Sequence, residues 1–208
     1  MNLPNLLSLF RILAVPVFLV LVLPQDFFTV ETSETMAACR AAALVLVILV
    51  TVTDWLDGYI ARTWKLVTPA GKLLDPLAHK IFVTAALVAL VRVEMIPVWA
   101  AVVVISREFL VTGLRGVAVE YGRVIEADRL GKHKTGWQLA LIITAMVLLT
   151  ARDFFTMLGV WEAPLLSDYG ADTVWFVLIW IPLTVTILLT VASGAKYVIE
   201  HHDLLRLR

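Results

Sequence analysis

The chain of 208 residues is far more apolar than an ordinary soluble domain, with 61% hydrophobic and 16% charged residues and a mean hydropathy of +0.91. This composition excludes a soluble globular protein and predicts a single all-α integral membrane domain over residues 1–208. The formal net charge is zero, and we expect no nucleic-acid partner. Cys39 is the only cysteine, which rules out an intrachain disulfide.

Six apolar stretches are candidates for membrane-spanning helices, since a helix needs roughly 20 mostly apolar residues to cross the hydrocarbon core. Several of them are short or contain charged residues. We expect those charges to face a polar interior, because lipid would leave them unsatisfied. In chain order the stretches are 3–23, 36–54, 73–91, 95–119, 136–151 and 173–192, and the interrupting charges are Arg11, Arg107, Glu108 and Arg115.

The basic residues are distributed unequally between the two ends of these stretches. If the six stretches cross the membrane in alternating directions, one side collects 14 of the 17 Lys and Arg residues. Only Arg40, Arg92 and Arg152 fall on the other side. The positive-inside rule then predicts six transmembrane helices with both termini in the cytoplasm.

A polar face is predicted at the cytoplasmic end of the second helix. Asp57, Gly58 and Ala61 follow Asp54 by three, four and seven positions, so the four residues share one helix face. The small Gly58 and Ala61 would allow a ligand to approach the backbone. Ionisable groups at membrane depth are costly, and this face is therefore a candidate functional site.

A second polar face is predicted at the start of the third helix, where Asp75 and His79 are four residues apart. Pro76 suits the first turn of a helix and Asp75 suits its N-cap. A hairpin over residues 63–74 would bring the two polar faces together. We therefore expect a shared site that opens toward the cytoplasm.

Three neighbouring carboxylates repel one another, and a divalent cation would relieve this repulsion. Hard oxygen ligands favour Mg²⁺ or Mn²⁺. Bridging carboxylates can hold two such ions roughly 3.5–4 Å apart, a separation suited to phosphoryl transfer. The alternative is that the aspartates cap helices and pair with Arg62, Lys65 and Lys72.

The spacing DxxDGxxARx8Gx3D, from Asp54 to Asp75, resembles the signature of the CDP-alcohol phosphotransferase family. His79 stands where that family has a final Asp. Three further segments are similar to the branch of the family that uses glycerol 3-phosphate. They are Pro4-Asn5-Leu-Leu-Ser8-Leu-Phe-Arg11, Ser106-Arg107-Glu108 and Gly131-Lys132-x-Lys134-Thr135.

The resemblance implies a six-helix enzyme of the bacterial cytoplasmic membrane, commonly a homodimer. Such an enzyme transfers a phosphatidyl group from CDP-diacylglycerol to sn-glycerol 3-phosphate, giving phosphatidylglycerophosphate and CMP, with two divalent cations. By position, the metal ligands would be Asp54, Asp57, Asp75 and His79, with His79 at the place of the general base. The contacts to CDP-diacylglycerol would be Asn5, Ser8, Arg11, Gly58, Ala61, Arg62, Thr68 and Gly71.

A group of basic residues suits the phosphate of the acceptor, because guanidinium and ammonium groups bind phosphate oxygens strongly. Arg107 and Arg115 lie within an apolar stretch, which favours a functional role. Lys132 and Lys134 have an alternative role in membrane orientation and attraction to anionic head groups.

His79 predicts impaired turnover with substrate binding largely kept. An imidazole can accept a proton, but beside two cations it neutralises less charge than a carboxylate. Three alternatives stay open: inositol phosphate or serine as the acceptor, a catalytically silent lipid-binding relative, and an ion or solute transporter. CMP release from CDP-diacylglycerol, or ion flux without it, would separate these classes.

Overall fold

A computed structural model describes residues 3–29, 32–63, 69–122, 129–160 and 171–200, and within these ranges every regular element is an α-helix. The helices are α1 (Leu3–Val22), α2 (Pro24–Phe27), α3 (Ser33–Thr63), α4 (Pro69–Arg92), α5 (Val98–Glu120), α6 (Arg129–Met157) and α7 (Ala171–Glu200).

The long helices pack into a bundle around an apolar core. Helix α1 lies against α3 and α4, α6 packs between α3 and α7, and α5 contacts α7 and, less extensively, α4. At the α1–α4 contact, the rings of Phe18 and Phe82 have centroids 5.4 Å apart and are fully buried. Met146 of α6 and Leu183 of α7 extend the same core.

The outside of the bundle is also apolar. Leu13, Val45, Val88 and Leu188 are all more than half exposed, which would be unfavourable over such an area in water. Four segments are long and apolar enough to cross a membrane, yet only 22–39% of each is buried in the bundle. The protein is therefore membrane-embedded. The segments are Ser33–Asp54, Leu74–Arg92, His133–Met157 and Val174–Glu200.

Helices α1 and α5 also contain charged residues. Helix α1 is 20 residues long and contains Arg11, and α5 contains Arg107, Glu108 and Arg115. The side chains of Arg107 and Glu108 are only 13% and 19% exposed, and that of Arg11 is fully buried. The prediction that these charges face the interior is confirmed for Arg11, Arg107 and Glu108, and Arg115 lines a cavity between the helices.

The predicted hairpin over residues 63–74 was wrong. Helix α3 continues to Thr63 and α4 already begins at Pro69, a residue well suited to the first helical position because its ring fixes φ and its missing N–H is not needed there. Asp75 is therefore an interior residue of α4 and not its N-cap, and Pro76 also lies inside the helix. Residues 64–68 lie outside the described ranges.

Candidate active site

One cavity of about 300 Å³ is lined by both acidic and basic side chains. Asp54 of α3 and Asp75 and His79 of α4 form its acidic part. Its basic part consists of Lys80 of α4 and Arg107 and Arg115 of α5, with Glu108 beside them. Asp54, Asp75 and His79 thus meet in one place, as the sequence predicted.

The acidic part is organised by Arg11 of α1. One Nη of Arg11 contacts Oδ1 of Asp54 and the other contacts Oδ1 of Asp75. Ser8, one turn earlier, accepts a longer hydrogen bond of 3.5 Å from the same guanidinium. Two carboxylates from separate helices therefore converge on a single positive group.

His79 lies beside the carboxylate oxygen of Asp54 that Arg11 does not contact. Its Nδ1 lies 3.5 Å from Oδ2 of Asp54, and its side chain is 21% exposed. The contact favours the tautomer with the proton on Nδ1, which leaves Nε2 as a proton acceptor.

The donor chemistry fits a divalent cation. Asp54 and Asp75 provide hard oxygen atoms, the ligands that Mg²⁺ and Mn²⁺ prefer, and both carboxylates converge on one guanidinium. The single charge of Arg11 does not balance two carboxylates. Within the described part of the chain, no three His, Cys, Asp or Glu residues form a metal-binding group, and the side chain of the fourth predicted ligand, Asp57, lies outside that part.

The basic part is built mainly on α5. Arg107 and Arg115 are eight residues apart and both reach the cavity, as expected for positions about two turns apart. Across the cavity, the ammonium of Lys80 donates to Oγ1 of Thr112, and that hydroxyl in turn donates to the Glu108 carbonyl at 2.6 Å. The cavity wall therefore carries three positively charged side chains, those of Lys80, Arg107 and Arg115, near Glu108.

Lys134, which the sequence grouped with the phosphate-binding residues, occupies a different place. Its side chain is 1% exposed, and its ammonium contacts Oε1 of Glu108. Nη1 of Arg107 is 3.3 Å from the same oxygen. Lys134 therefore pairs with Glu108 and helps to fix it beside Arg107 in the cavity wall.

Tyr197 of α7 is a site residue that the sequence did not reveal. Its hydroxyl accepts a 2.8 Å hydrogen bond from Nε of Arg115, although the two residues are 82 positions apart. A lone tyrosine in an apolar helix carries no recognisable signal. Lys80 and Thr112 were also missed, but Thr112 lies one helical turn after Glu108 and could have been found from that spacing.

Several predicted site residues have side chains outside the described part of the structure, and their roles stay predictions. Among the predicted nucleotide contacts, Ser8 and Arg11 are described. The others are Asn5, Gly58, Ala61, Arg62, Thr68 and Gly71, and Lys132 of the acceptor group is likewise not described.

The fold and cavity define an all-helical membrane protein with a charged site enclosed between its helices. The chain belongs to the CDP-alcohol phosphatidyltransferase family, an enzymatic family whose match covers residues 1–188. This confirms the membership predicted from the sequence.

Three similar bacterial proteins share the name CDP-diacylglycerol–glycerol-3-phosphate 3-phosphatidyltransferase. The protein of Bacillus subtilis (strain 168) is 41% identical over 179 residues, which cover 77% of this chain and 92% of the relative. That of Pseudomonas fluorescens is 36% identical over 166 residues, with coverages of 76% and 79%. That of Mycoplasma pneumoniae (strain ATCC 29342 / M129 / Subtype 1) is 37% identical over 150 residues, with coverages of 68% and 66%.

Proposed function

We propose that this protein transfers a phosphatidyl group from CDP-diacylglycerol to sn-glycerol 3-phosphate, giving phosphatidylglycerophosphate and CMP. The observation that carries this proposal is the single cavity that joins the Asp54–Asp75 pair to Arg107 and Arg115. Transfer between two phosphate-bearing substrates needs groups that bind cations and groups that bind phosphate. The names of the relatives support the choice of donor and acceptor.

Asp54, Asp57, Asp75 and His79 are the residues proposed to hold two Mg²⁺ or Mn²⁺ ions. When bound, such ions neutralise charge on the diphosphate and on the departing CMP. Arg11 keeps Asp54 and Asp75 directed toward each other from two helices. The residues proposed to bind CDP-diacylglycerol are Asn5, Ser8, Arg11, Gly58, Ala61, Arg62, Thr68 and Gly71.

Arg107 and Arg115 bind the phosphate of the acceptor in this proposal, and Lys80 adds a third positive charge to the cavity wall. The proposed role of Lys132 at the same phosphate is separate from the contact that Lys134 makes with Glu108. Binding the phosphate at this side orients the glycerol hydroxyl toward the acidic part, which lowers the entropic cost of the reaction.

The reaction exchanges one bond at phosphorus for another. The acceptor hydroxyl oxygen bonds to the lipid-bearing phosphorus, the bond from that phosphorus to the CMP oxygen breaks, and CMP leaves with the electron pair. Because Nδ1 of His79 faces Asp54, its lone pair is at Nε2, and His79 can take the hydroxyl proton there only while that atom does not hold a cation.

Turnover is proposed to be slow because His79 is a neutral ligand where a carboxylate would bind the second cation more tightly. The substitution His79→Asp is expected to increase CMP release by at least tenfold, on the scale of general-base effects. The rate of CMP release from mixed micelles measures this directly. An equal or lower rate in folded His79→Asp protein would contradict the proposed effect of His79.

The site is proposed to face the cytoplasm in a bacterial cytoplasmic membrane, with all six long helices crossing it and both termini inside. The interior position of the charges on α1 and α5 supports these two helices as spans. A C-terminal green fluorescent protein fusion should fluoresce, and an alkaline phosphatase fusion at the same point should be inactive. The opposite pair of results would overturn the topology.

The chain is further proposed to act as a single domain over residues 1–208 and to assemble as a homodimer. Native mass spectrometry from detergent micelles should give twice the mass of 23.1 kDa. A species at the monomer mass alone, from protein that remains folded, would contradict the dimer.

The function is tested by identifying the products formed from CDP-diacylglycerol with alternative acceptors. Purified protein in Mg²⁺-containing micelles should release CMP and form phosphatidylglycerophosphate with sn-glycerol 3-phosphate. Serine and inositol phosphate should give neither product. A different lipid product would reassign the acceptor, and ion flux in proteoliposomes without CMP release would indicate a transporter.

A further inference from the structure

Helix α7 contacts the two arginines that line the basic part of the cavity. At Arg115, the hydroxyl of Tyr197 accepts the Nε hydrogen bond. The ring of Tyr197 also lies beside the guanidinium, with Cζ of Arg115 5.4 Å from the ring centroid. Tyr197 is only 3% exposed and packs against Val111 and Leu114 of α5, so its position is fixed by surrounding side chains.

The second contact is at Gly194, one helical turn before Tyr197 on the same side of α7. A Cβ atom added to Gly194 would lie 3.2 Å from Cγ of Arg107. This is closer than ordinary van der Waals contact, so the aliphatic part of Arg107 occupies the space that the absent side chain provides. A Cβ at this position would require Arg107 to shift by a few tenths of an ångström.

We propose that Gly194 and Tyr197 are positioning residues that hold Arg107 and Arg115 in the geometry that binds the acceptor phosphate. This inference rests on the proposed function, in which these arginines grip that phosphate. Since Nε of Arg115 is engaged by Tyr197, its two Nη groups are left for the cavity. A guanidinium held in this way presents a pair of parallel donors, the geometry that phosphate oxygens accept best.

The substitution Tyr197→Phe separates this role from simple core packing. It keeps the ring, its contacts with Val111 and Leu114, and its position beside the guanidinium, and it removes only the hydroxyl that holds Nε. A residue needed for packing alone would tolerate this change. A positioning residue would lose affinity for the acceptor phosphate and leave binding of CDP-diacylglycerol unchanged.

Equilibrium binding of sn-glycerol 3-phosphate and of CDP-diacylglycerol to detergent-solubilised protein tests the inference without requiring turnover. Tyr197→Phe should raise the Kd of the acceptor roughly tenfold, as expected for loss of one charge-assisted hydrogen bond, with the Kd of CDP-diacylglycerol unchanged. Tyr121→Phe is the matched control because Tyr121 is 53% exposed at the end of α5. It should leave both values unchanged.

Gly194→Ala supplies an independent variant at the second contact. It should also weaken acceptor binding by several-fold, whereas Gly136→Ala should not, since no atom lies within 4 Å of an added Cβ at Gly136. Both variants replace a helical glycine by the best helix former, so they share the same effect on helix propensity. A difference between them therefore reports the contact with Arg107.

The outcomes are distinguishable. Acceptor affinity within twofold of the wild type in both Tyr197→Phe and Gly194→Ala would overturn the positioning role and leave the proposed function standing. Equal losses of acceptor and CDP-diacylglycerol binding would overturn it in favour of a general structural role. Wild-type protein that binds CDP-diacylglycerol but not sn-glycerol 3-phosphate would overturn the proposed acceptor, and this inference with it.

Discussion

At the scale of single residues, the site depends on charges that are paired across helices. Arg11 forms ion pairs with both Asp54 and Asp75, and Lys134 forms an ion pair with Glu108. Each pair places a charge from one helix against the opposite charge of another, which removes much of the cost of keeping ionised groups in a low-dielectric interior. The same pairs fix the side chains that bound substrates would meet.

Removal of Arg11 should make the protein more dependent on divalent cations. In Arg11→Gln, Asp54 and Asp75 lose their shared positive partner and repel each other. Without Mg²⁺ this variant should have a lower Tm than the wild type, and Mg²⁺ should raise its Tm by more than it raises that of the wild type. Thermal unfolding in detergent, with and without Mg²⁺, measures both effects.

The exposed arginine Arg92, whose side chain is 58% exposed, provides the control for this experiment. Arg92→Gln breaks only an exposed pair, so it should change the Tm little and leave the response to Mg²⁺ unchanged. If Arg11→Gln behaved in the same way, Arg11 would not be balancing the two carboxylates.

The geometry of Arg115 should also matter beyond its charge. Arg115→Lys keeps the positive charge but loses the planar fork and the Nε hydrogen bond to Tyr197. We expect the KM for sn-glycerol 3-phosphate to rise about tenfold or more and the KM for CDP-diacylglycerol to stay the same. Steady-state kinetics with each substrate varied in turn would show this split, and parallel increases in both KM values would argue against a specific contact with the acceptor.

At the scale of helices, a partly buried ion pair joins α3 to α6 at the end of the bundle away from the cavity. Nη1 of Arg40 lies 2.7 and 2.9 Å from the two carboxylate oxygens of Asp153. The two side chains are only 12% and 14% exposed. Each therefore depends on the other for charge compensation.

Asp153→Asn should lower the free energy of unfolding by about 1–3 kcal/mol, because it leaves Arg40 charged and largely buried without its carboxylate. The matched change Asp26→Asn breaks a more exposed pair with Arg92 and should cost about 0–1 kcal/mol. Denaturation in mixed micelles compares the two variants. Equal effects would show that burial does not set the strength of these pairs.

The sequence predicted the helices and the acidic part of the site well because both depend on short-range spacing. The three- and four-residue intervals around Asp54 and Asp75 are local properties of a helix. The start of α4 was misplaced because Pro76 and Pro69 are both acceptable first-turn residues. The contacts of Tyr197 and Gly194 with α5 could not be predicted, since they depend on how α5 and α7 pack, and helical periodicity does not encode that packing.

At the scale of the whole molecule, the described residues form a bundle with an apolar outer surface and a charged cavity between its helices. The exposed large side chains suit lipid, and the acidic and basic parts of the cavity lie next to each other. A lipid-linked nucleotide can keep its chains in the bilayer while its charged head enters such a site. The arrangement thus supports a reaction between a membrane lipid and a small anion from the aqueous phase.

The central claim is that this cavity carries out phosphatidyl transfer. Its most direct test is CMP release from CDP-diacylglycerol with Mg²⁺, measured with and without sn-glycerol 3-phosphate, for the wild type and for Asp75→Asn. Release should require both Mg²⁺ and the acceptor, and it should fall by at least a hundredfold in Asp75→Asn. Release that persists unchanged in Asp75→Asn, or its complete absence from folded wild-type and His79→Asp protein that still binds CDP-diacylglycerol, would contradict the claim.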